Sequence, residues 1–187
     1  MKQFSTWLLT VSTGITALIC FLIFVLFMIF ILPDQAARAA FYTNGIGSPD
    51  TSLFYTADQL YQFVEQYDAA GRNAYIRARF TFDIAWPIAY TLFLITSISW
   101  LSKQIKMQNK VWQQLNLIRF LGFAFDLFEN GSAALVMARY PTATPFIAHL
   151  AGWFTLFKWI FIVVSFVILI FLFIGYLAQK LKLFQRT

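Results

Sequence analysis

The stretch FLGFAFDLFENGSAALVMARY, residues 120–140, decides the fold because it is apolar enough to cross a bilayer and yet contains charges. Arg119 precedes it, and 19 residues separate Arg119 from Arg139 near its end, a length that suits the roughly 30 Å hydrocarbon core of a membrane. Inside it lie Asp126, Glu129 and Asn130. A charge near the bilayer centre costs about 2.5–3.5 kcal/mol on insertion scales. Two carboxylates at this depth therefore need partners or a functional purpose.

The composition of the whole chain indicates that lipid is its solvent. Of 187 residues, 60% are hydrophobic, 20% aromatic and only 12% charged, whereas soluble domains carry roughly 25% charged residues. The net charge of +6 comes from scattered cations and not from a basic run interleaved with aromatic residues, so no nucleic-acid partner is predicted. The single cysteine, Cys20, excludes an internal disulfide bond.

Four apolar segments predict an all-α protein with four transmembrane spans in a single integral membrane domain, residues 1–187. The predicted spans are residues 7–32, 82–101, 117–138 and 146–176. The first segment is far longer than the roughly 7–15-residue apolar core of a signal peptide, so we interpret it as an uncleaved span. We expect this span to end at Pro33-Asp34.

Residues 33–80 form one long loop, and its pattern predicts a short amphipathic helix over about 57–70. Thr56 and Gln59 have the spacing of a capping box, and apolar residues follow at helical intervals. Gly71 suits the position just after the end of such a helix. We expect the helix to cover the end of the bundle or to lie on the membrane surface, and its acidic composition favours the covering position.

The distribution of basic residues predicts the orientation, because loops on the cytoplasmic side are rich in lysine and arginine. Eight cations and no acid fall on the side of the N-terminus: Lys2, Lys103, Lys106, Lys110, Arg119, Lys180, Lys182 and Arg186. This pattern predicts a cytoplasmic N-terminus, a cytoplasmic C-terminus and an extracytoplasmic loop at residues 33–80.

With this topology, every ionisable group within the spans lies in the outward half, which predicts an outward-facing intramembrane polar pocket. Polar residues from Arg72 to Tyr90 recur at intervals of three or four and so share one helix face. The candidate binding residues are Arg72, Tyr75, Arg79, Asp83, Tyr90, Asn130 and Lys158. Arginines at the outer end suit an anionic headgroup; for Arg77 and Arg79, solvation is an equal alternative.

Several functions remain open. The leading one is a non-enzymatic protein that binds a lipid or a partner protein through the pocket, homo-oligomerisation included. An alternative is a lipid-modifying enzyme with Asp126 and Glu129 as its catalytic acid and base. A second alternative is a transporter or proton-linked carrier, although no inverted repeat is visible. The carboxylates could also serve structure alone by pairing with Lys158 or an arginine.

No cofactor and no metal are predicted. The chain has no phosphate-binding loop, nucleophile elbow or His-Glu zinc motif. Two carboxylates with one histidine are too few for a defined metal site, and His149 is interpreted as an interfacial residue near a span end.

Three motifs resemble those of a family of uncharacterised bacterial four-span integral membrane proteins. They are Gly71-Arg72-x-x-Tyr75, Asp83-x-x-x-Pro87-x-x-Tyr90 and Asp126-x-x-Glu129-Asn130. The resemblance runs from the loop helix through the third span. It implies a four-helix bundle in which these polar residues gather, and a place in the bacterial cytoplasmic (inner) membrane. It implies no activity.

Overall fold

The computed structural model describes residues 2–43, 45, 48–106 and 110–184, with the side chains of residues 2–6, 50, 110–119 and 182–184 left aside. Five cations that the orientation prediction uses have side chains outside this description: Lys2, Lys110, Arg119, Lys182 and Arg186. Part of the irregular loop around Gly47 also lies outside it.

Every regular element in the described residues is helical, and no strand occurs among them. The α-helices are α1 (Lys2–Val11), α2 (Gly14–Leu26), α3 (Leu32–Tyr42), α4 (Ala57–Gln66), α5 (Ala69–Arg79), α6 (Phe82–Gln104), α7 (Lys110–Arg139) and α8 (Pro145–Phe184). A π-helical turn (Phe27–Ile31) joins α2 to α3, and a short 3-10 helix (Pro49–Thr51) precedes α4.

Four helical stretches are long and apolar enough to cross a membrane, which indicates an integral membrane protein. They cover Gly14–Tyr42, Ala69–Gln104, Phe120–Arg139 and Pro145–Leu181. α7 and α8 pack along each other, α6 contacts both, and α2 packs mainly against α6.

The first span differs from its prediction at both ends. The helix breaks at Ser12-Thr13, and Thr13 starts α2 with a capping box completed by Thr16. At the other end the chain stays helical through Pro33 to the end of α3. The preceding turn is π-helical, with the Leu32 N–H bonded to the carbonyl of Phe27. Because this turn is wider and Pro33 lies in the first turn of α3, its missing N–H does not end the helix.

The segment before α6 contains two helices where the sequence predicted one over 57–70. The predicted capping box forms, with the Thr56 hydroxyl accepting from the Gln59 N–H. α4 then ends, and Asp68 begins α5 by accepting from the Gly71 N–H at 2.6 Å. The prediction that Gly71 ends a helix is therefore wrong. Gly71 lies in the first turn of α5, where an added Cβ would sit 3.2 Å from the Cβ of Tyr42.

The buried residues form two clusters at opposite ends of the spans. We call the end that carries residues 48–80 the loop end, and the end that carries α1 and the last turns of α8 the terminal end. The loop-end cluster comprises Tyr55, Leu60, Val64, Tyr67, Tyr75, Ala133, Val136, Met137, Ala148 and Ala151. The terminal-end cluster comprises Tyr90, Phe93, Leu94, Ile98, Leu101 and Leu172. The charged residues of the spans lie between the two clusters: Arg79 contacts Tyr75 of the first, and Asp126 contacts Tyr90 of the second.

Candidate functional site

Five buried ionisable side chains from α5, α6, α7 and α8 meet in one network at the loop end. Their exposed fractions are 5% for Arg79, 11% for Asp83, 9% for Asp126, 1% for Glu129 and 6% for Lys158. Two cations thus face three carboxylates, a formal excess of one negative charge if all five are ionised. Charges buried this deeply are tolerated only when they are paired and hydrogen-bonded.

Arg79 is the hub of the network because all three of its guanidinium nitrogens are engaged. Nε lies 3.3 Å from Asp83 Oδ2, one helical turn along the chain. Nη1 donates to Asn130 Oδ1 at 3.1 Å, and Nη2 donates to Ser48 Oγ at 3.0 Å. The guanidinium carbon also lies 4.2 Å from the centre of the Tyr75 ring. Two hydrogen bonds, one ion pair and one ring contact from a single buried side chain indicate an organising role.

Asn130 links Arg79 to the carboxylate of Asp126. Its amide Nδ2 donates to the backbone carbonyl of Asp83 at 2.9 Å and to Asp126 Oδ1 at 3.4 Å. The other oxygen of Asp126 accepts from the hydroxyl of Tyr90 at 2.8 Å. The side chain of Asn130 thereby joins α7 to α5 and α6.

Lys158 of α8 bridges the two carboxylates of α7. Its ammonium group forms a close ion pair with Glu129 and lies 3.7 Å from Asp126 Oδ1. Glu129 Oε1 also accepts from the hydroxyl of Tyr55 at 3.4 Å. A single cation therefore serves two acids from one helix face, at positions i and i+3.

A cavity of about 1320 Å³ lies beside this network, between α2–α3 and the group formed by α5, α6, α7 and α8. Its apolar wall includes Phe24, Met28, Leu32, Trp86, Ile162 and Phe166. Four members of the network reach the wall, namely Arg79, Asp83, Asp126 and Lys158, and Tyr75 and Tyr90 join them. Glu129 is not part of the wall. Of the two candidate acid/base residues, only Asp126 therefore faces the space in which a ligand would sit.

Two exposed arginines, Arg38 of α3 and Arg77 of α5, complete the cavity at its rim. Arg72 does not line this cavity, and its binding role stays a prediction. Its Nη1 donates to the carbonyl of Tyr67 at 2.6 Å, and its guanidinium carbon lies 5.1 Å from the ring of Tyr140. Arg72 takes this position because the chain breaks between α4 and α5. The break leaves the last carbonyls of α4 without a donor inside the helix, and Arg72 supplies one.

No motif in the sequence predicts that the loop before α4 takes part in the site. Ser48 binds Arg79, Tyr55 binds Glu129, and the carbonyl of Ser52 accepts from Trp159 Nε1 at 3.0 Å. The loop can approach α8 this closely because of Gly152, where an added Cβ would lie 2.0 Å from the carbonyl oxygen of Tyr55. A glycine in a helix otherwise rich in bulky residues was the available signal of close approach.

His149 lies outside the network. It is exposed near the start of α8, and its Nε2 accepts from Trp153 Nε1 at 3.1 Å. Among the residues whose side chains are described, no group of three or more His, Cys, Asp or Glu could hold a metal ion.

No protein-family model, curated protein or solved structure matches this chain. The resemblance to bacterial four-span proteins therefore stays a prediction. Function has to be argued from the chemistry of the site.

Proposed function

We propose that this protein binds a membrane lipid in the cavity beside the buried charges. The observation that carries the proposal is the change in the cavity wall, which is aromatic and aliphatic at Phe24, Met28, Trp86, Ile162 and Phe166 and charged at Arg79, Asp83, Asp126 and Lys158. A wall of this kind matches an amphipathic molecule, with its chain against Phe24 and Phe166 and its polar group on the charged side of the cavity.

The size of the cavity supports a lipid rather than a small metabolite. Ordinary small-molecule sites occupy about 300–1,000 Å³, and this cavity is larger, at about 1320 Å³. It is bounded on one side by the first span, which packs mainly against α6. A ligand in the bilayer would therefore meet a gap between helices rather than a closed core.

The proposal includes an arrangement in the membrane. The four spans form a bundle with both termini in the cytoplasm, as the positive-inside rule favours from Lys103 and Lys106 at the terminal end. α4 is then a short amphipathic helix outside the membrane that covers the bundle, supported by the complete burial of Leu60 and Val64. In this arrangement the cavity opens in the outward half of a bacterial cytoplasmic membrane.

The test is native mass spectrometry of protein extracted gently from its own membrane, with one cavity variant and one matched control. Ala78→Phe places a ring in the cavity wall, whereas Ala70→Phe makes the same change on an exposed face of α5 outside the cavity. We expect wild type and Ala70→Phe to retain lipid. We expect Ala78→Phe to retain about tenfold less, equivalent to about 1.4 kcal/mol of binding free energy.

Two results would overturn the proposal. One is wild-type protein that carries no lipid. The other is equal lipid retention by Ala78→Phe and Ala70→Phe, which would place the lipid elsewhere. A stoichiometric protein that replaces lipid in the wild-type spectrum would identify a partner protein, or a second copy of the chain, as the occupant.

A second candidate function is a lipid-modifying enzyme, and the wall position of Asp126 favours it. A carboxylate hydrogen-bonded to Tyr90 and open to the cavity is placed to exchange a proton with a bound lipid. Glu129, behind the wall, would only hold Lys158. Incubation with total membrane lipid should then yield a new lipid species with wild type and with Glu129→Gln but none with Asp126→Asn. Unchanged lipid with every variant would dismiss this function.

A further inference from the structure

The four cations in the cavity wall differ in how fully they are paired. Arg79 uses all its nitrogens within the protein, and Lys158 lies between Asp126 and Glu129. Neither can bind a ligand anion without giving up a buried partner, which is costly. The sequence pointed to Arg79 as a ligand residue, but its surroundings assign it to the protein's own network.

Arg77 is the cation that the protein leaves available. It is exposed, it lines the cavity, and no described carboxylate pairs with it. It sits in the last turn of α5, two residues before Arg79, so its side chain leaves the helix on a different face from the buried hub. Arg79 therefore belongs to the buried network, whereas Arg77 is exposed at the rim of the cavity.

Arg38 of α3 offers a second guanidinium to the same cavity. Among the described residues, the partner of Arg38 is Asp34, whose Oδ2 lies 2.9 Å from Nε, and the two side chains are 68% and 55% exposed. Exposed ion pairs of this kind contribute little to stability. The two Nη groups of Arg38 therefore remain for a ligand.

We propose that the bound lipid is a phospholipid with a net negative headgroup, whose phosphate is held between Arg77 and Arg38. This inference rests on the proposed lipid site and names its ligand class. Guanidinium groups bind phosphate oxygens through paired N–H donors, more strongly than they bind neutral acceptors. The two arginines come from different helices, so one phosphate would join α3 to α5 and close the cavity between the first span and the rest.

The experiment measures headgroup preference in purified, delipidated protein by native mass spectrometry. The protein is offered phosphatidylglycerol and phosphatidylcholine of equal chain length at equal concentration. The variants are Arg77→Gln, Arg38→Gln and the control Arg139→Gln, which removes an exposed arginine at the same end but outside the cavity. Thermal unfolding of each variant verifies that it is folded.

We expect wild type and Arg139→Gln to prefer phosphatidylglycerol by about tenfold. Arg77→Gln should bring the two lipids close to parity, and Arg38→Gln should lose part of the preference. Unchanged thermal stability is expected for all three variants because each side chain is exposed.

The outcomes separate this inference from the proposed function. Equal binding of both lipids by wild type would overturn the anionic assignment and leave the lipid site intact. A preference that persists in Arg77→Gln and Arg38→Gln would overturn their roles. Binding of neither lipid would overturn the proposed function as well. Displacement of phosphatidylglycerol by inorganic phosphate at millimolar concentration would show that a free anion is the ligand, and would overturn the assignment to a lipid.

Discussion

The loop end and the terminal end of the same four spans are held together by different forces. At the terminal end, rings and aliphatic side chains pack: the Phe24 ring lies 4.8 Å from that of Phe93, and the Trp100 ring lies 5.4 Å from that of Tyr176. The Ser102 hydroxyl there donates within its own helix, to the carbonyl of Ile98 at 2.7 Å, and Lys103 Nζ donates to the carbonyl of Leu9 in α1 at 2.5 Å. At the loop end, by contrast, side chains from four helices and a loop are joined by directional polar contacts.

The difference shows where this protein can be specific. Lipid tails are as apolar as the side chains they meet, so packing at the terminal end distinguishes poorly between alternative arrangements of the helices. A buried network with a hub at Arg79 is satisfied in one arrangement only, because each missing partner leaves a charge or a donor buried. The cavity lies against the end that is fixed in this way.

The largest expected effect comes from removing the cation that serves two acids. Lys158→Met should lower the free energy of unfolding by about 3–5 kcal/mol, because Glu129 and Asp126 would be left buried without it. Thermal unfolding of the purified protein in detergent measures the loss.

The double variant Lys158→Met with Glu129→Gln serves as its control. It removes a charge from each side of the pair, so it should recover part of the lost stability. A single variant as stable as wild type, or a double variant no better than the single one, would show that the loop end depends on packing like the terminal end.

The next effect tests the contact between the loop and α8. Gly152→Ala would set a Cβ 2.0 Å from the Tyr55 carbonyl oxygen, a backbone atom that cannot rotate away. We expect a loss at or above the upper end of the usual overpacking cost, about 1–3 kcal/mol. Protease cleavage between α3 and α4, compared with wild type, should report the displaced loop.

Gly131→Ala is the matched control for this change. Nothing lies within 4 Å of its added Cβ, and alanine is favoured over glycine inside a helix by roughly 0.5–1 kcal/mol. Equal behaviour of the two alanine variants would mean that the loop is not seated on Gly152.

Part of the fold could be predicted from the sequence. The four spans were predictable because long apolar runs allow few other structures, and the capping box at Thr56 was predictable because it is local. The polar face from Tyr75 to Tyr90 survives the interruption between α5 and α6, since Arg79 and Asp83 still meet at i, i+4.

What could not be predicted depends on distant pairings or on local departures from the regular helix. Ser48 meets Arg79 across 31 positions and Tyr55 meets Glu129 across 74, and no spacing rule specifies such contacts. Pro33 was predicted to end a helix, but the π-helical turn before it allows the helix to continue. The separation of Arg72 from the cavity followed from a helix break that the apolar pattern did not show.

A smaller effect is expected from removing the hydrogen bond that Tyr90 makes at the cavity wall while its ring is kept. Tyr90→Phe keeps the ring but removes the hydroxyl that donates to Asp126. We expect a loss of about 1–2 kcal/mol, because Asn130 and Lys158 still contact the carboxylate. Tyr176→Phe at the terminal end, a ring against Trp100, should unfold like wild type. A similar loss for both would show that the Tyr90 hydroxyl contributes no more at the cavity wall than a hydroxyl at the terminal end.

The smallest expected effect is at the terminal end, where it tests whether a buried polar group contributes to stability. The Ser99 hydroxyl is buried, with 1% of the residue exposed, and has no hydrogen-bond partner among the described residues. Ser99→Ala removes a polar group that the packing does not use, so thermal unfolding should be unchanged or slightly shifted toward higher stability, by less than about 1 kcal/mol. A clear loss would reveal that the Ser99 hydroxyl makes a stabilising polar contact at the terminal end. Polar contacts would then stabilise both ends of the spans. The position of the site at the loop end could no longer be explained by polar contacts that stabilise that end alone.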